Sequence, residues 1–458
     1  MSANKRSIVL STVGSGFFAL AAAIIITTIL AQAFSQLTYI IIGFILLVGS
    51  FILIKRVGLA HFATGGAIVS FVLGWRGYEI IPGFRMWPAE VFIWIGFLIV
   101  LLDTSKKGDP SANKQTNLLA LFLGLSTTAG LVIGLTQPWR AVNTISGWKN
   151  FILFLPLLLI INRTIPNIDT FKKYLRLITL SGFVVAVLGI LEYYFPAFVS
   201  DAFNIHQDLS YFRVNYLQDT YTVINLSSFF IWGTSVVSVI LVPILPISAF
   251  LTINAKGRRK FLWVLVSLSL LTSVIFSGYR SAWLGLGVAM IGLTFFFDKR
   301  IWGFLVLVGT GIWFMPEGFY QRAASIFQLR QASDPTIVTR LGSIQSATDT
   351  FSASNLLGSG WGARAVFNDW LYIYVVLGLV GALIFLAWYL QTIIRIFKIE
   401  QSDGEIADIK KTMILSLVSY GFCMVSGAMS QVPPIMALFW IIFIFGFHLP
   451  TIIQQETK

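Results

Sequence analysis

Apolar stretches long enough to approach a bilayer crossing follow one another almost without pause along this chain of 458 residues. They lie near 8–31, 36–54, 57–75, 89–103, 116–135, 150–162, 176–194, 226–253, 261–277, 281–297, 301–315, 370–397, 412–430 and 435–451. A helix needs about 20 apolar residues to span the hydrocarbon core. Inside lipid every backbone N–H and C=O must find a partner within the protein, which leaves helices and closed barrels. These stretches are continuously apolar rather than alternating, so helices are selected. The expected fold is an all-α polytopic integral membrane protein of about 12–14 transmembrane helices, the lower figure if two short stretches are re-entrant or interfacial. Composition agrees, with 11% charged residues where a soluble chain carries roughly a quarter.

Charge sets the orientation. With the N-terminus inside, 22 of the 32 lysines and arginines fall on the cytoplasmic side and 10 outside, which predicts cytoplasmic N and C termini. The same bias accounts for the formal charge of +13 without a nucleic-acid partner. Met1 to Arg6 and the apolar run to Leu30 read as a retained first span rather than a signal peptide. The single cysteine, Cys423, and the scattered His61, His206 and His448 give no disulfide framework and no metal site. The short basic inner loops hold neither a Walker A sequence nor a dinucleotide fingerprint, so no cofactor is expected.

Nine of the ten outer cations are arginine, whereas the inner set is mostly lysine. Either cation serves orientation, but only arginine offers a planar fork that grips phosphate or carboxylate. The plainer account pairs these arginines with outer acids such as Asp201, Asp219 and Asp349. The chain divides into N-terminal transmembrane helices (1–194), a first outer loop (195–225), central transmembrane helices (226–315), a large outer loop (316–369) and C-terminal transmembrane helices (370–458). The first outer loop carries Tyr211, Phe212, Arg213, Tyr216 and Tyr221. Such aromatics suit sugar rings and equally suit a membrane interface. In the large loop, Ile337, Leu341, Ile344 and Ala347 have helical spacing, which predicts an amphipathic helix on the outer surface with Arg340 on or near it. Next comes Asn355-Leu356-Leu357-Gly358-Ser359-Gly360-Trp361-Gly362, whose glycines allow close backbone approach and can present amides to an anion. Earlier, Ser277-Gly278-Tyr279-Arg280 joins two apolar runs, so Arg280 stands where the chain turns at a membrane surface. An arginine there snorkels or holds an anion.

In order and spacing these landmarks resemble the O-antigen ligase and O-antigen polymerase superfamily, over roughly Leu191 to Leu390. The Ser-Arg-type turn is Ser277-Gly278-Tyr279-Arg280. Arg340 stands ahead of the glycine-rich element at Asn355 to Gly362. Phe367-Asn368-Asp369-Trp370-Leu371 and then Gly378-Leu379-Val380-Gly381 match the helix that follows, and Phe212-Arg213-Val214 with Asn225 match a weaker upstream element. The resemblance implies a GT-C-like fold in the bacterial plasma (inner) membrane, with a large extracytoplasmic loop containing short amphipathic helices. It implies a metal-independent glycosyltransferase that moves a glycan from a polyprenyl diphosphate, usually undecaprenyl diphosphate, to a glycan acceptor on the outer face. Partners would be that donor, the acceptor, membrane lipids, a flippase and a chain-length regulator.

Arg280 and Arg340 would hold the diphosphate, with Asp369 as catalytic base and Arg213, Tyr279, Arg364, Asn368 and Trp361 as substrate contacts. Other candidate bases are Asp349, Glu192 and His206. Asp369 is equally well placed to cap the helix from Trp370, and Asn368 to satisfy loop backbone. Ligases of the family carry histidine where this chain has Phe367, which favours polymerisation of a polysaccharide over ligase-type transfer to lipid, protein or wall. The competing classes are a bicarbonate or other anion transporter, disfavoured by the scarcity of charge within the apolar stretches, and a non-catalytic assembly partner.

Overall fold

The computed structural model describes residues 58–72, 78–81, 84–102, 114–138, 141–194, 214–216, 219–221, 233–297, 342, 345, 356–363, 368–400, 404–425 and 433–456. Among them are thirteen helices: α1 Leu59–Val72, α2 Pro88–Leu102, α3 Lys114–Thr136, α4 Ala141–Ile152, α5 Phe154–Thr164, α6 Ile168–Tyr194, α7 Gly233–Leu241, α8 Ile244–Ile253, α9 Arg258–Phe276, α10 Arg280–Phe296, α11 Asp369–Phe397, α12 Gly404–Val425 and α13 Pro433–Glu456. Two antiparallel hairpins accompany them, β1 Tyr78–Ile81 with β2 Phe84–Met86 and β3 Val214–Tyr216 with β4 Asp219–Tyr221. Six described helical spans are long and apolar enough to cross a bilayer: Leu118–Thr136, Ala141–Thr164, Ile168–Leu191, Arg258–Phe276, Asp369–Phe397 and Ile435–Glu456. The protein is a multi-pass, essentially all-helical membrane protein.

Contacts between helix ends fix which ends lie together. The Ile168 N–H donates to Glu456 at 2.8 Å, Lys172 pairs with Glu405 at 2.9 Å, and the Asn254 amide donates to Asp408 at 3.2 Å. Lys410 donates to the Ile399 carbonyl, and Lys411 lies over the Phe297 ring. This end gathers basic residues of α6, α11 and α12, so it is called the basic end. Arg280, Asp369 and the start of α13 stand at the opposite end.

At the centre is α13, with 94% of its apolar window buried. It packs on α1, α4, α5, α6, α7, α11 and α12. Phe439, Trp440 and Phe443 interleave with Phe385, Trp388 and Tyr389 of α11 and with Phe151 and Phe154 of α4 and α5. Between helices in lipid no hydrophobic drive operates, so close shape fit and ring contacts carry the association. At the α10–α12 contact small residues let the backbones close up: a methyl group on Gly285 would fall 2.8 Å from the Ser419 carbonyl oxygen.

Several expected boundaries move. The stretch 150–162 is part of a span that begins at Ala141, where α4 hides Thr144, Lys149 and Asn150 against neighbouring elements; hydropathy alone cannot see that cover. The stretch 226–253 is interrupted between α7 and α8 around Val242-Pro243, because proline lacks the N–H that would continue the helix. The expected crossings 8–31, 36–54 and 301–315 lie outside the described residues. Of the expected amphipathic helix only Gly342 and Gln345 are described, both helical.

The largest departure is in residues 356–363, expected as part of an outer loop. Here the chain dips into the bundle. Helix α11 breaks at Gly378 (φ 71°, ψ −176°), nine residues from its start, and turns so sharply that Trp370 meets Phe385 and Tyr389 beyond the break at 5.5 and 5.3 Å. A break strips carbonyls of their helical partners, which at this depth costs several kcal/mol each unless replaced. Ser359 and Gly360 replace them, donating their N–H groups to Val375 and Val376 at 2.8 and 3.1 Å. Across the break Val380 donates to Leu356 at 3.4 Å. The Trp361 N–H reaches the Gly130 carbonyl of α3 at 3.0 Å, and its indole N–H the Thr127 carbonyl at 2.9 Å. Buried to 1% exposure, Trp361 fills a slot lined by Gly130, Gly134 and Gly147.

No Cβ fits between these backbones. One on Gly360 would lie 2.2 Å from the Gly134 nitrogen, at a φ of +80°. Gly404 has nearly the same φ, +79°, and nothing within 4 Å. In detergent-solubilised protein, Gly404→Ala should therefore cost about 1 kcal/mol, the left-handed penalty alone. Gly360→Ala should cost about 3 kcal/mol or more, because overpacking is added to it. Equal melting-temperature losses would contradict the inserted loop.

Candidate functional site

The turn between α9 and α10 caps itself. Ser277, fully buried, donates its Oγ–H to Val274 at 2.7 Å, and the Gly278 N–H donates to Ile275 at 3.2 Å. The Trp283 indole, one turn into α10, donates to both of those carbonyls at 3.2 Å. The terminal carbonyls of α9 are thus satisfied, as a helix end in lipid requires. Gly278 takes φ 63°, Tyr279 occupies the N-cap position in extended geometry, and Arg280 is the first helical residue of α10, half-buried. Tyr279 is partly buried against the core. The local chemistry therefore delivers Arg280 to the positive end of a helix dipole, where a cation is disfavoured and an anion welcome.

The cap of α11 is Asn368 rather than Asp369. Its Oδ1 accepts the Leu371 N–H at 3.0 Å, and its carbonyl accepts the Tyr372 N–H at 2.8 Å. That leaves Asp369 as the first helical residue, fully buried and at the end of the dipole that favours a carboxylate. It lies close enough to interact electrostatically with Tyr372, Tyr420 and Cys423. Cys423 in turn reaches the Gly285 backbone of α10. The C-terminal turns of α12 thus join the two helices that begin at Arg280 and Asp369. Tyr420 donates its O–H to Ile435 of α13 at 2.7 Å, and the Trp370 indole donates to Gly421 at 3.1 Å, which fixes α12 between α11 and α13.

Trp361, expected to touch substrate, has its ring and its N–H occupied by the protein. The ring lies 5.1 Å from Phe151 and 6.5 Å from Tyr372. The amides of Ser359, Gly360 and Trp361 are likewise bonded to carbonyls rather than offered to an anion. Arg213, Arg340, Arg364, Phe367, Asp349 and His206 lie outside the described residues. Glu192 falls in the last turn of α6. No group of three or more His, Cys, Asp or Glu that could hold a metal ion occurs among the described residues.

The chain matches no protein-family model and no curated protein.

One charged pair escaped the sequence reading. Lys149 of α4 donates to both oxygens of Glu90 in α2, at 2.6 and 2.5 Å, and the two side chains are 8% and 0% exposed. Glu90 also accepts the Trp87 N–H at 3.1 Å, closing the first turn of α2 after Pro88. This is the reciprocal half of a capping box, with proline at the first helical position. The only signal was a lone acid near the start of an apolar stretch, which in a membrane asks for a named partner.

Removing either partner leaves a buried charge, which typically costs about 3–5 kcal/mol. Glu90→Gln retains an oxygen for the Trp87 N–H, and Lys149→Met retains the stem volume. Each single variant should lower the melting temperature more than the double variant Glu90→Gln/Lys149→Met does, with a coupling of about 1–3 kcal/mol. Additive losses would mean that the two charges do not interact.

Proposed function

We propose that this protein is a glycosyltransferase of the plasma membrane that uses a glycan linked to a polyprenyl diphosphate as donor, and that it lengthens a polysaccharide on the outer face. The observation that carries this reading is the pairing of two helix starts around the C-terminal turns of α12. Arg280 opens α10 from a self-capped turn, and Asp369 opens α11 beneath the Asn368 cap. Departure of a lipid diphosphate builds negative charge, and a fixed guanidinium at a helix N-terminus stabilises it most as the glycosidic bond breaks. A buried carboxylate nearby can accept the proton of the acceptor hydroxyl. The basic end of the bundle is then cytoplasmic by the positive-inside rule. Arg340, Arg364 and Arg213 join Arg280 around the diphosphate. Phe367, standing where ligases of the resembling superfamily carry histidine, favours polymerisation over a single transfer.

A second reading, anion transport, rests on the buried Glu90–Lys149 pair and the broken α11. Both are features that transporters place along a path. Ser146 and Asn150 beside Lys149 add two buried oxygens without a hydrogen-bond partner. Against it, the Val375 and Val376 carbonyls at the break are already bonded to loop amides, so these two do not line an open ion path.

Reconstitution with a polyprenyl-diphosphate oligosaccharide in the presence of EDTA distinguishes the two. Wild type should give lengthening ladders. Arg280→Ala and Asp369→Asn should reduce the rate by about 100-fold or more, the scale of losing one transition-state donor or a general base. Arg280→Lys should recover little, because it keeps the charge without the fork. Anion uptake into the same liposomes, with no transfer from any such donor, would overturn the proposal.

A further inference from the structure

The break in α11 makes residues 369–377 a half-helix that carries Asp369 and folds back on the rest of the helix, where the Trp370 ring meets Phe385 and Tyr389 at 5.5 and 5.3 Å. The helix backbone alone does not set the angle of such a piece, since the hydrogen bonds that would do so are interrupted. Its angle must come from what it leans on. At its inner end that is the inserted loop, through the Ser359 and Gly360 amides on the Val375 and Val376 carbonyls. At its Asp369 end it is Trp370, whose indole donates to Gly421 of α12 at 3.1 Å, and, one turn on, Tyr372, 6% exposed, whose ring meets the Trp361 ring edge-on at 6.5 Å. Tyr372 is also a residue with which the Asp369 carboxylate interacts electrostatically.

Trp361 itself does not lean on α11 alone. Its two N–H groups are bound to α3, at Gly130 and Thr127, and its ring is set on Phe151 of α4 and over Gly147. It therefore refers the half-helix to a part of the bundle that contains neither Arg280 nor Asp369. We infer that Trp361 is a positioning residue for Asp369, acting through Tyr372 and the half-helix 369–377. It touches no reacting atom; it sets where the carboxylate stands relative to the start of α10.

The catalytic consequence rests on the glycosyl-transfer reading, but the geometric one does not, and the chain supplies its own reporter. Its single cysteine, Cys423, is fully buried beside Asp369 and the Gly285 backbone. The Trp370 indole of the half-helix is bonded to the Gly421 carbonyl of α12, two residues before that thiol, so a half-helix that swings away releases the turn of α12 that carries Cys423. The experiment uses the full chain in membranes with Trp361→Phe, which keeps an aromatic ring but loses the bond to Thr127, and Trp361→Leu, which loses both. Trp388→Phe, a change of the same kind deep in the α11–α13 core, serves as the control. N-ethylmaleimide should alkylate Cys423 severalfold faster in the Trp361 variants, most in Trp361→Leu, and at the wild-type rate in the control. In the transfer assay kcat should fall by about tenfold or more in Trp361→Leu and less in Trp361→Phe, with the donor KM within about twofold of wild type, as expected for a displaced group rather than lost binding.

Wild-type protection of Cys423 in both Trp361 variants would overturn the inference, whatever the activity does. So would equal effects from Trp388→Phe, which would make the response one of general packing. Faster labelling of the Trp361 variants alone, in a protein whose wild type transfers no glycan, supports the positioning role and removes the glycosyl-transfer reading instead.

Discussion

The half of this molecule opposite the basic end is organised by the demand that no backbone group be left unbonded in lipid. Gly378 interrupts α11 inside the bundle, where water cannot supply the missing partners. The inserted loop supplies them, and its own amides are thereby used. Each part is intelligible only with the other. A break at that depth without the loop would leave carbonyls bare, and a loop at that depth without the break would have nowhere to place its N–H groups. The glycines at 134, 360 and 378 follow from this pairing, because backbones that exchange hydrogen bonds across helices approach too closely for a Cβ.

The same rule shapes the helix ends that carry the candidate site. At the α9–α10 turn a serine hydroxyl, a glycine amide and a tryptophan indole satisfy carbonyls that would otherwise need water. At the start of α11 an asparagine takes the cap, so the neighbouring aspartate is not needed for it. In both places a charged residue is left as the first helical residue, one cationic and one anionic. In the Glu90–Lys149 pair the carboxylate serves both as a cap and as a counterion.

Much of the bundle was legible in the sequence, because long apolar runs in a membrane leave few alternatives to helices. The described helices α9 to α13 coincide with expected stretches to within a few residues, apart from α12, which begins eight residues earlier at Gly404. Its first turns carry Lys410 and Lys411, which the basic end accommodates against a carbonyl and a ring. The Arg280 turn, the Asn368–Asp369 helix start and the closeness of the glycine-rich segment to another backbone were also legible. What that backbone belonged to was not. Whether three clustered glycines serve an anion or a broken helix depends on carbonyls sixteen residues further on, and hydropathy averages over the break at Gly378. Lys149 lies ahead of the stretch expected at 150–162 for a related reason. A helix whose polar side is covered by tertiary contacts has the hydropathy of a loop, so the expected stretch begins only at Asn150, nine residues into α4.

The charges at the two helix starts are not equivalent, and the difference bears on what the site can hold. Asp369 stands where the dipole of α11 favours a negative group, so its burial is partly offset by the helix itself. Arg280 stands where the dipole of α10 opposes it, and the helix offers no such offset. A cation kept at that position is stabilised by anionic groups outside its own helix, and the positive field of guanidinium and helix end together is strongest for a ligand carrying more than one negative charge. A diphosphate meets that requirement better than a single carboxylate, and bicarbonate, with one charge, meets it less well. On the glycosyl-transfer proposal, this turn would face the diphosphate of the donor.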